Sequence, residues 1–333
     1  MKRVTLKEIA KALNLSPSTV SRALSDHPDI STETKEKVRD ASKMFNYSPN
    51  LRARYLRTKS SGLIALILPE YFMFFIPEMM KSISDAVSQK GYSLMVFQSD
   101  DSYTEELNII NNCNQLCVDG ILLSISSGFQ ESNELLELNR DGAPIVLLDR
   151  IWGNEEMSSV GIDGAGVVSE AVEYLFKKGH RKIGGLFASY NHRMSESRQS
   201  GFEKACKKNN VGINVLNIDY PNDFNNQLLK FLESHKDITA LFTMTDDLMI
   251  KCYSSLQRLG FRIPEDMSLI SISDGILANI LTPKITHLFH CPTEIGRTSV
   301  ELLFERIKDK TSETKSLEID CKIVESESVK DLS

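Results

Sequence analysis

From residue 63 onward the chain repeats one unit, a short and nearly continuous apolar run followed by an amphipathic stretch of helical period. The runs fall at 63–68, 94–97, 120–124, 145–149, 183–187, 215–218, 240–244 and 269–272. Helical stretches at 76–90, closed by Gly91, and at 105–116 separate the first of them. Strands that are apolar on both faces must be covered on both faces, which is the state of a parallel sheet between helix layers. The fold class expected for this part is therefore α/β. Residues 62–333 exceed one comfortable core, so two lobes are expected. Ligands in such folds bind outside the carboxyl ends of the strands, and a cleft between lobes suits a small molecule.

The first sixty residues are of another kind and should be all-α. Thr5 followed by Glu8 is a capping-box pattern that starts a helix at Leu6, with Ile9, Ala10 and Leu13 on its apolar face. Asn14 tolerates the left-handed turn that must follow. Ser16 can cap a second helix whose first position suits Pro17. Val20 and Leu24 then face inward, leaving Pro17, Ser18, Ser21 and Arg22 outside. That spacing suits a helix-turn-helix whose second helix enters the major groove of DNA. Ser31 and Glu33 open a third helix carrying Val38, Ala41 and Phe45, which Tyr47-Ser48-Pro49 stops. The stretch 50–59 holds four basic residues and is too short to be a stable helix alone in water.

Charge divides the chain at the same place. Residues 1–60 hold 13 Lys and Arg against 6 Asp and Glu, net +7, while residues 61–333 hold 26 against 39, net −13. A basic head is what phosphate binding needs, and an acidic body confines DNA contact to one end.

Three motifs recur in order: Val4-Thr5-Leu6 with Glu8-Ile9-Ala10, then Ser16 with Thr19-Val20-Ser21-Arg22, then Tyr47 with Pro49-Asn50, Ala53 and Leu56. In them the chain resembles the lactose/galactose repressor family of bacterial transcription regulators. The resemblance extends more loosely over the body. It implies a helix-turn-helix domain over 1–48, a hinge helix over 49–61, and an effector-binding body over 62–333 of periplasmic-binding-protein type. Lobe one would take about 62–161 and 291–321, and lobe two about 162–290 and 322–333, the chain crossing near 161, 290 and 322. It implies a homodimer, because one head covers a half-site and twofold proteins read near-palindromic operators. The helix starting near Phe75 is one candidate interface. No sustained heptad follows Glu325, so the tetramer-forming coil of some relatives is not expected.

The resemblance also assigns residues. Pro17, Ser18 and Arg22 match positions that read bases in the major groove. Arg22 leads, since a guanidinium pairs bidentately with guanine. Pro17 has no side-chain hydrogen bond and would read shape or a methyl group. Thr5, Ser16, Thr19, Ser21 and Ser31 are capping or phosphate-positioning groups. Asn50, Ala53 and Leu56 match the hinge, with Leu56 wedged into a base step of the minor groove and Ala53 allowing two hinges to approach. Around the effector the expected residues are Asp149, Arg150, Arg198, Asp246 and Asp274, with Phe74 and Tyr220 as flat apolar faces. Other aromatics of 71–75 and Trp152 could serve the same end. The family often has Asn where Asp246 stands, and an acid changes the hydrogen bonds on offer. A carbohydrate is the expected effector class.

Other classes fit less well. The body has no phosphate-binding Gly-x-x-x-x-Gly-Lys-Ser/Thr loop, no Gly-x-Ser-x-Gly elbow, and a glycine cluster at 161–166 of the wrong spacing for a dinucleotide, so an enzyme is not expected. No cofactor is expected. A transporter's solute-binding protein shares such a body, but Met1-Lys2-Arg3-Val4 begins no apolar export signal. No apolar run approaches a membrane span. Cysteines 113, 117, 206, 252, 291 and 321 are scattered, as reduced cytosolic thiols are, so a bacterial cytoplasmic, nucleoid-associated location is expected. Cys113 with Cys117, and His287 with His290, have too few neighbouring ligands for a metal; the histidines read as structural or supporting groups.

Overall fold

A computed structural model describes residues 4–45, 47, 60–70, 75–129, 133–188, 192–218 and 223–333. The chain divides into two compact units, residues 1–62 and 63–333. Asn50, Ala53, Leu56, Phe74 and Tyr220 lie outside the described residues.

The head is a three-helix unit: α1 Leu6–Ala12, α2 Pro17–Leu24 and α3 Thr32–Met44. Each start is fixed by a side chain that satisfies an orphan backbone N–H. Thr5 and Glu8 form the reciprocal capping box, Ser16 accepts from Thr19 N–H at 3.0 Å, and Ser31 accepts from Thr34 N–H at 3.3 Å. Asn14 turns the chain between α1 and α2 with φ of +51°. Ile9, Ala10, Val20, Ala23, Val38 and Ala41 make the core, with Leu24 only partly buried against it. Phe45 does not continue the apolar face of α3; it is the C-cap residue and stands exposed.

The body is two six-stranded sheets. Its strands are β1 Leu63–Leu68, β2 Ser93–Gln98, β3 Gly120–Leu123, β4 Ile145–Leu148, β5 Ser158–Gly161 and β6 Lys182–Ala188. They continue as β7 Gly212–Ile218, β8 Ala240–Thr243, β9 Ser268–Ser273, β10 Thr286–Phe289, β11 Ser316–Glu318 and β12 Lys322–Val324. The first sheet is ordered β11-β5-β4-β3-β1-β2 and the second β12-β10-β9-β8-β6-β7. The chain thus passes from the first to the second after β5, returns after β10, and crosses again between β11 and β12.

Both faces of each sheet are covered, which is why the runs are apolar throughout. On β1, Ile64, Leu66 and Leu68 pack with Met79, Ile83 and Leu303, while Ala65 and Ile67 pack with Ile109, Ile110 and Cys113 on the other side. The second sheet splits likewise, Phe187, Phe242 and Ile270 on one face and Leu186, Leu241 and Leu269 on the other. Every pairing is parallel except β10 with β12, which register antiparallel as His287 with Val324 and Phe289 with Lys322. The reason is geometric. β11, the edge of the first sheet, runs parallel to β5, and only three residues lead from its end to β12, the edge of the second sheet, too few to carry the chain back to the start of β10 for a parallel entry.

Candidate nucleic-acid interface and ligand cleft

Within the head the polar groups point outward from α2. Pro17, Ser18 and Arg22 are exposed, and Thr19 and Ser21 are half-exposed. Ser16 Oγ lies 2.7 Å from Ser18 Oγ and 2.8 Å from Thr19 Oγ1, so these hydroxyls brace one another at the helix start. Several cations of the head are turned to acids. Lys35 and Arg39 pair with Asp26 at 3.2 and 3.1 Å, and Lys37 with Glu33 at 2.7 Å. The Arg22 side chain has no hydrogen bond or ion pair among the described residues, and the residue is exposed.

In the body, the carboxyl ends of both sheets meet at one cavity. Its lining includes Pro69 and Glu70 after β1, Ser124 after β3, Asp149 and Arg150 after β4, Thr245 and Asp246 after β8, Ser273 at the end of β9 and His290 after β10. Phe75, Ile76, Met194, Met244 and Ile272 supply its apolar part, and Arg198 completes it. Of the expected residues the structure brings Asp149, Arg150, Arg198 and Asp246 together here, and Asp274 lies directly behind Asp246. Trp152 is not in the lining; it packs 5.2 Å from Phe129 in the core of the first lobe.

Arg198 is buried in the fold because its helix, His192–Lys208, presses closely on helix Gly164–Lys177. The contact needs Gly201, where a Cβ would stand 2.4 Å from the carbonyl oxygen of Ala165. Arg198 Nη1 donates to Met244 O at 2.7 Å, while its Nε has no partner. Burial pulls the guanidinium down to about 10, partly opposed by Asp149. Asp149 holds a left-handed φ of +59°, an uncommon conformation for a non-glycine residue and one that occurs at ligand clamps. Burial raises its carboxyl, and the charges of Arg150 and Arg198 oppose that.

His290 stacks on Phe75 with ring centroids 4.1 Å apart and planes 15° from parallel. Burial, aided by the Arg198 charge, drops it to about 3, so the imidazole is neutral. Its Nε2 is buried without a hydrogen bond, 3.9 Å from Asp149 Oδ1. A neutral ring at that distance is a polar neighbour and not an ion pair. Sequence reasoning placed His290 among supporting groups; its position in the lining was hidden because its partner Phe75 is 215 residues away.

Arg150 is held by two acids, Glu70 at 3.3 Å and Asp101 at 3.0 Å. Asp101 also accepts from the Ser127 N–H at 2.8 Å. Beside them Glu106 is fully buried and accepts from the Ser126 N–H at 2.7 Å, and burial pushes it up to about 7. On the opposite wall Asp246 accepts from the Ser273 hydroxyl and, at 3.2 Å, from the Asp274 N–H. Burial raises it to about 6, with the Asp274 charge adding to the rise and the Ser273 hydrogen bond opposing it. Asp274 Oδ1 accepts from the Ile276 N–H at 2.9 Å, and Oδ2 is buried with no partner.

Such a lining can offer hydrogen bonds and an aromatic face to a small molecule. Buried polar atoms without partners are uncommon because each carries a desolvation cost. Here four of them, on Ser124, Arg198, Asp274 and His290, lie in or directly behind one lining next to an aromatic face. Among the described residues no group of three His, Cys, Asp or Glu is placed to hold a metal ion, and no helix is long and apolar enough to cross a membrane.

Comparison with known proteins agrees with this geometry. Residues 5–50 match the family described as bacterial regulatory proteins, lacI family, and residues 172–329 the one described as periplasmic binding protein-like domain. The chain is 30% identical over 328 residues to the ribose operon repressor of Halalkalibacterium halodurans, covering 98% of this chain and 97% of that protein. It is 30% identical over 339 residues to the HTH-type transcriptional repressor PurR of Vibrio cholerae, covering 99% of each. Its fold is similar to the lac repressor dimer bound to operator and the anti-inducer ONPF, with a TM-score of 0.85 at 20% identity over 99% of this chain and 100% of that one.

Proposed function

The chain belongs to the lacI family of bacterial regulatory proteins, and from that premise we propose that it is a transcriptional repressor, not an enzyme, whose grip on operator DNA is set by a small polyhydroxylated effector. Residues 1–48 read DNA, 49–61 form the hinge, and the two lobes of 62–333 close on the effector. It acts as a homodimer on a near-palindromic site at the nucleoid of the bacterial cytoplasm.

In this reading α2 lies in the major groove. Arg22 reads a guanine, Ser18 and Pro17 shape the base contacts beside it, and Thr5, Ser16, Thr19, Ser21 and Ser31 position the phosphates. Asn50, Ala53 and Leu56 carry the minor-groove contact. Phe74 and Tyr220 flank the effector, whose hydroxyl groups meet Asp149, Arg150, Arg198, Asp246 and Asp274. Effector control follows from differential affinity. A molecule that bridges Asp149 in one lobe and Arg198 in the other binds one lobe arrangement better and shifts the population toward it.

The observation that carries the reading is Arg22, exposed on a capped second helix with no side-chain partner among the described residues, in a head where Lys35, Lys37 and Arg39 are paired with Asp26 and Glu33. Selection of duplexes from a random pool by the full chain tests it. The expected product is a near-palindromic consensus bound with a steep inverse dependence on salt. Enrichment of no sequence, with or without a panel of sugars and nucleosides, would overturn it.

A further inference from the structure

Among the described residues the charges around the cleft do not balance. On one side cations stand among the acids: Arg150 serves Glu70 and Asp101, and the charges of Asp149 and Arg198 favour each other. On the other side Asp246 and Asp274 stand together, joined by the hydrogen bond from Asp274 N–H to Asp246 Oδ2. Neither makes an ion pair with a Lys or Arg among the described residues. Asp246 is 8% and Asp274 4% exposed, so water does little to screen them. Of the groups facing Asp274, Glu78 on helix Phe75–Gln89 adds negative charge, while His287 offsets part of it, although burial holds that imidazole toward its neutral form. The positive end of helix Asp246–Arg258 offsets part of the charge on Asp246, but Asp247 shares that first turn.

We propose that the effector carries a protonated amine received by Asp246 and Asp274, which makes it an amino sugar or an ammonium-bearing polyol of similar size. The inference rests on the reading of the cleft as the effector site. An ammonium group has three donors and no acceptor. Asp246, lining the cavity beside Ser273, gives it an acceptor, and Asp274 directly behind, its Oδ2 buried without a partner, adds the second negative charge. A neutral hydroxyl in the same place has one proton to donate and leaves two adjacent carboxylates without a counter-charge in a poorly solvated site, the costly arrangement. The remaining hydroxyls of the ligand fall to Asp149, Arg198 and His290.

The test uses the full chain at neutral pH with glucosamine, galactosamine and mannosamine, each beside its parent hexose and its N-acetyl derivative. Thermal shift reads binding and operator affinity reads the response. At least one amine is expected to raise the melting temperature, and its parent and N-acetyl form to bind about tenfold more weakly or worse, the scale of a charged hydrogen bond lost. Asp246→Asn and Asp274→Asn, made separately, should erase that preference without lowering the melting temperature of the ligand-free chain. A parent hexose that binds as well as its amine, or three amines that all fail to shift the melting temperature, overturns the proposal. If a neutral solute then alters operator affinity, the effector cleft stands and only the charge preference falls. If operator binding responds to no solute of either kind, effector control falls with it.

Discussion

In the head, six buried side chains on three short helices hold a surface whose business faces out, with Pro17, Ser18 and Arg22 all exposed on one helix. In the body, four hydrophobic clusters flank two sheets, and the polar side chains that matter face inward from the ends of β1, β3, β4, β8, β9 and β10. A recognition surface on one helix is set by residues within a few positions of each other. A cleft is set by residues from 69 to 290 that only the completed fold brings together. The head is therefore local in both stability and function, and the body is collective in both.

The largest test of that contrast compares one substitution in two places. Ile9→Ala removes a fully buried side chain from the head, and Ile110→Ala does the same in the first lobe. Each should cost roughly 2–5 kcal/mol. That rivals the whole stability of a unit as small as the head. Ile9→Ala is expected to unfold the head and abolish DNA binding while the melting transition of the body stays put. Ile110→Ala should lower the body transition by several degrees and leave the head able to bind. Calorimetry resolves the two, and a single transition moved by both changes would break the comparison.

The same contrast explains what could be read from residues alone. Capping pairs such as Thr5 with Glu8, and runs such as Leu63–Leu68, act over neighbouring positions, so the head helices and the principal strands were legible. β5 was not, because its sequence is Ser-Ser-Val-Gly although it is fully buried. Its hydroxyls are satisfied across the sheet, Ser159 lying 2.9 Å from Ser316 Oγ and Ser158 accepting from Lys315 N–H at 3.3 Å. No local signal announces that. The antiparallel edge β12 follows from where β11 ends, a tertiary fact. In the cleft, charged residues just past apolar runs were legible at Asp149 and Asp246, since strand ends face ligands. Phe75 is one of the aromatics of 71–75 offered as a flat face, but Glu70 and His290 were not expected there, because nothing in their neighbourhood marks them apart from core or surface residues.

Asp246→Asn sharpens the body side of the comparison, with an expected effect of up to about 3 kcal/mol. The Asp246 carboxyl titrates near 6 in the fold and in the ordinary, lower carboxylate range when unfolded. Between those values the folded chain holds a proton that the unfolded chain has lost. Stability therefore falls as pH rises through about 4 to 6, and the whole cost is present above it. Asparagine keeps an acceptor for the Asp274 N–H without the buried charge. The variant should melt higher than the parent at pH 7 and converge with it below about pH 4, as the two-state window requires. Equal melting at both pH values would show that Asp246 pays no burial penalty.

Arg22→Ala addresses the head. Losing a bidentate base contact should cost about 1–3 kcal/mol on the selected operator and little on random duplex. Head unfolding should not change, because Arg22 is exposed and packs on nothing in the core. An equal loss on both duplexes would move Arg22 from base reading to phosphate contact.

The smallest effect separates folding from binding at one residue. Thr5 caps α1 and is also a candidate phosphate contact. Thr5→Ala removes the hydroxyl that accepts from Glu8 N–H, although Glu8 still accepts from the Thr5 N–H at 2.6 Å. The expected cost to the head is about 1 kcal/mol. A head that remains mostly folded after that loss keeps nearly all its binding-competent population, so stability alone cannot weaken DNA affinity appreciably. If affinity drops severalfold on operator and random duplex alike, with a smaller salt slope, Thr5 touches phosphate. If the melting temperature falls while affinity holds, the hydroxyl is only a cap. Thr5→Ser keeps the oxygen and should be near parent level in both measurements, which ties either outcome to that one atom.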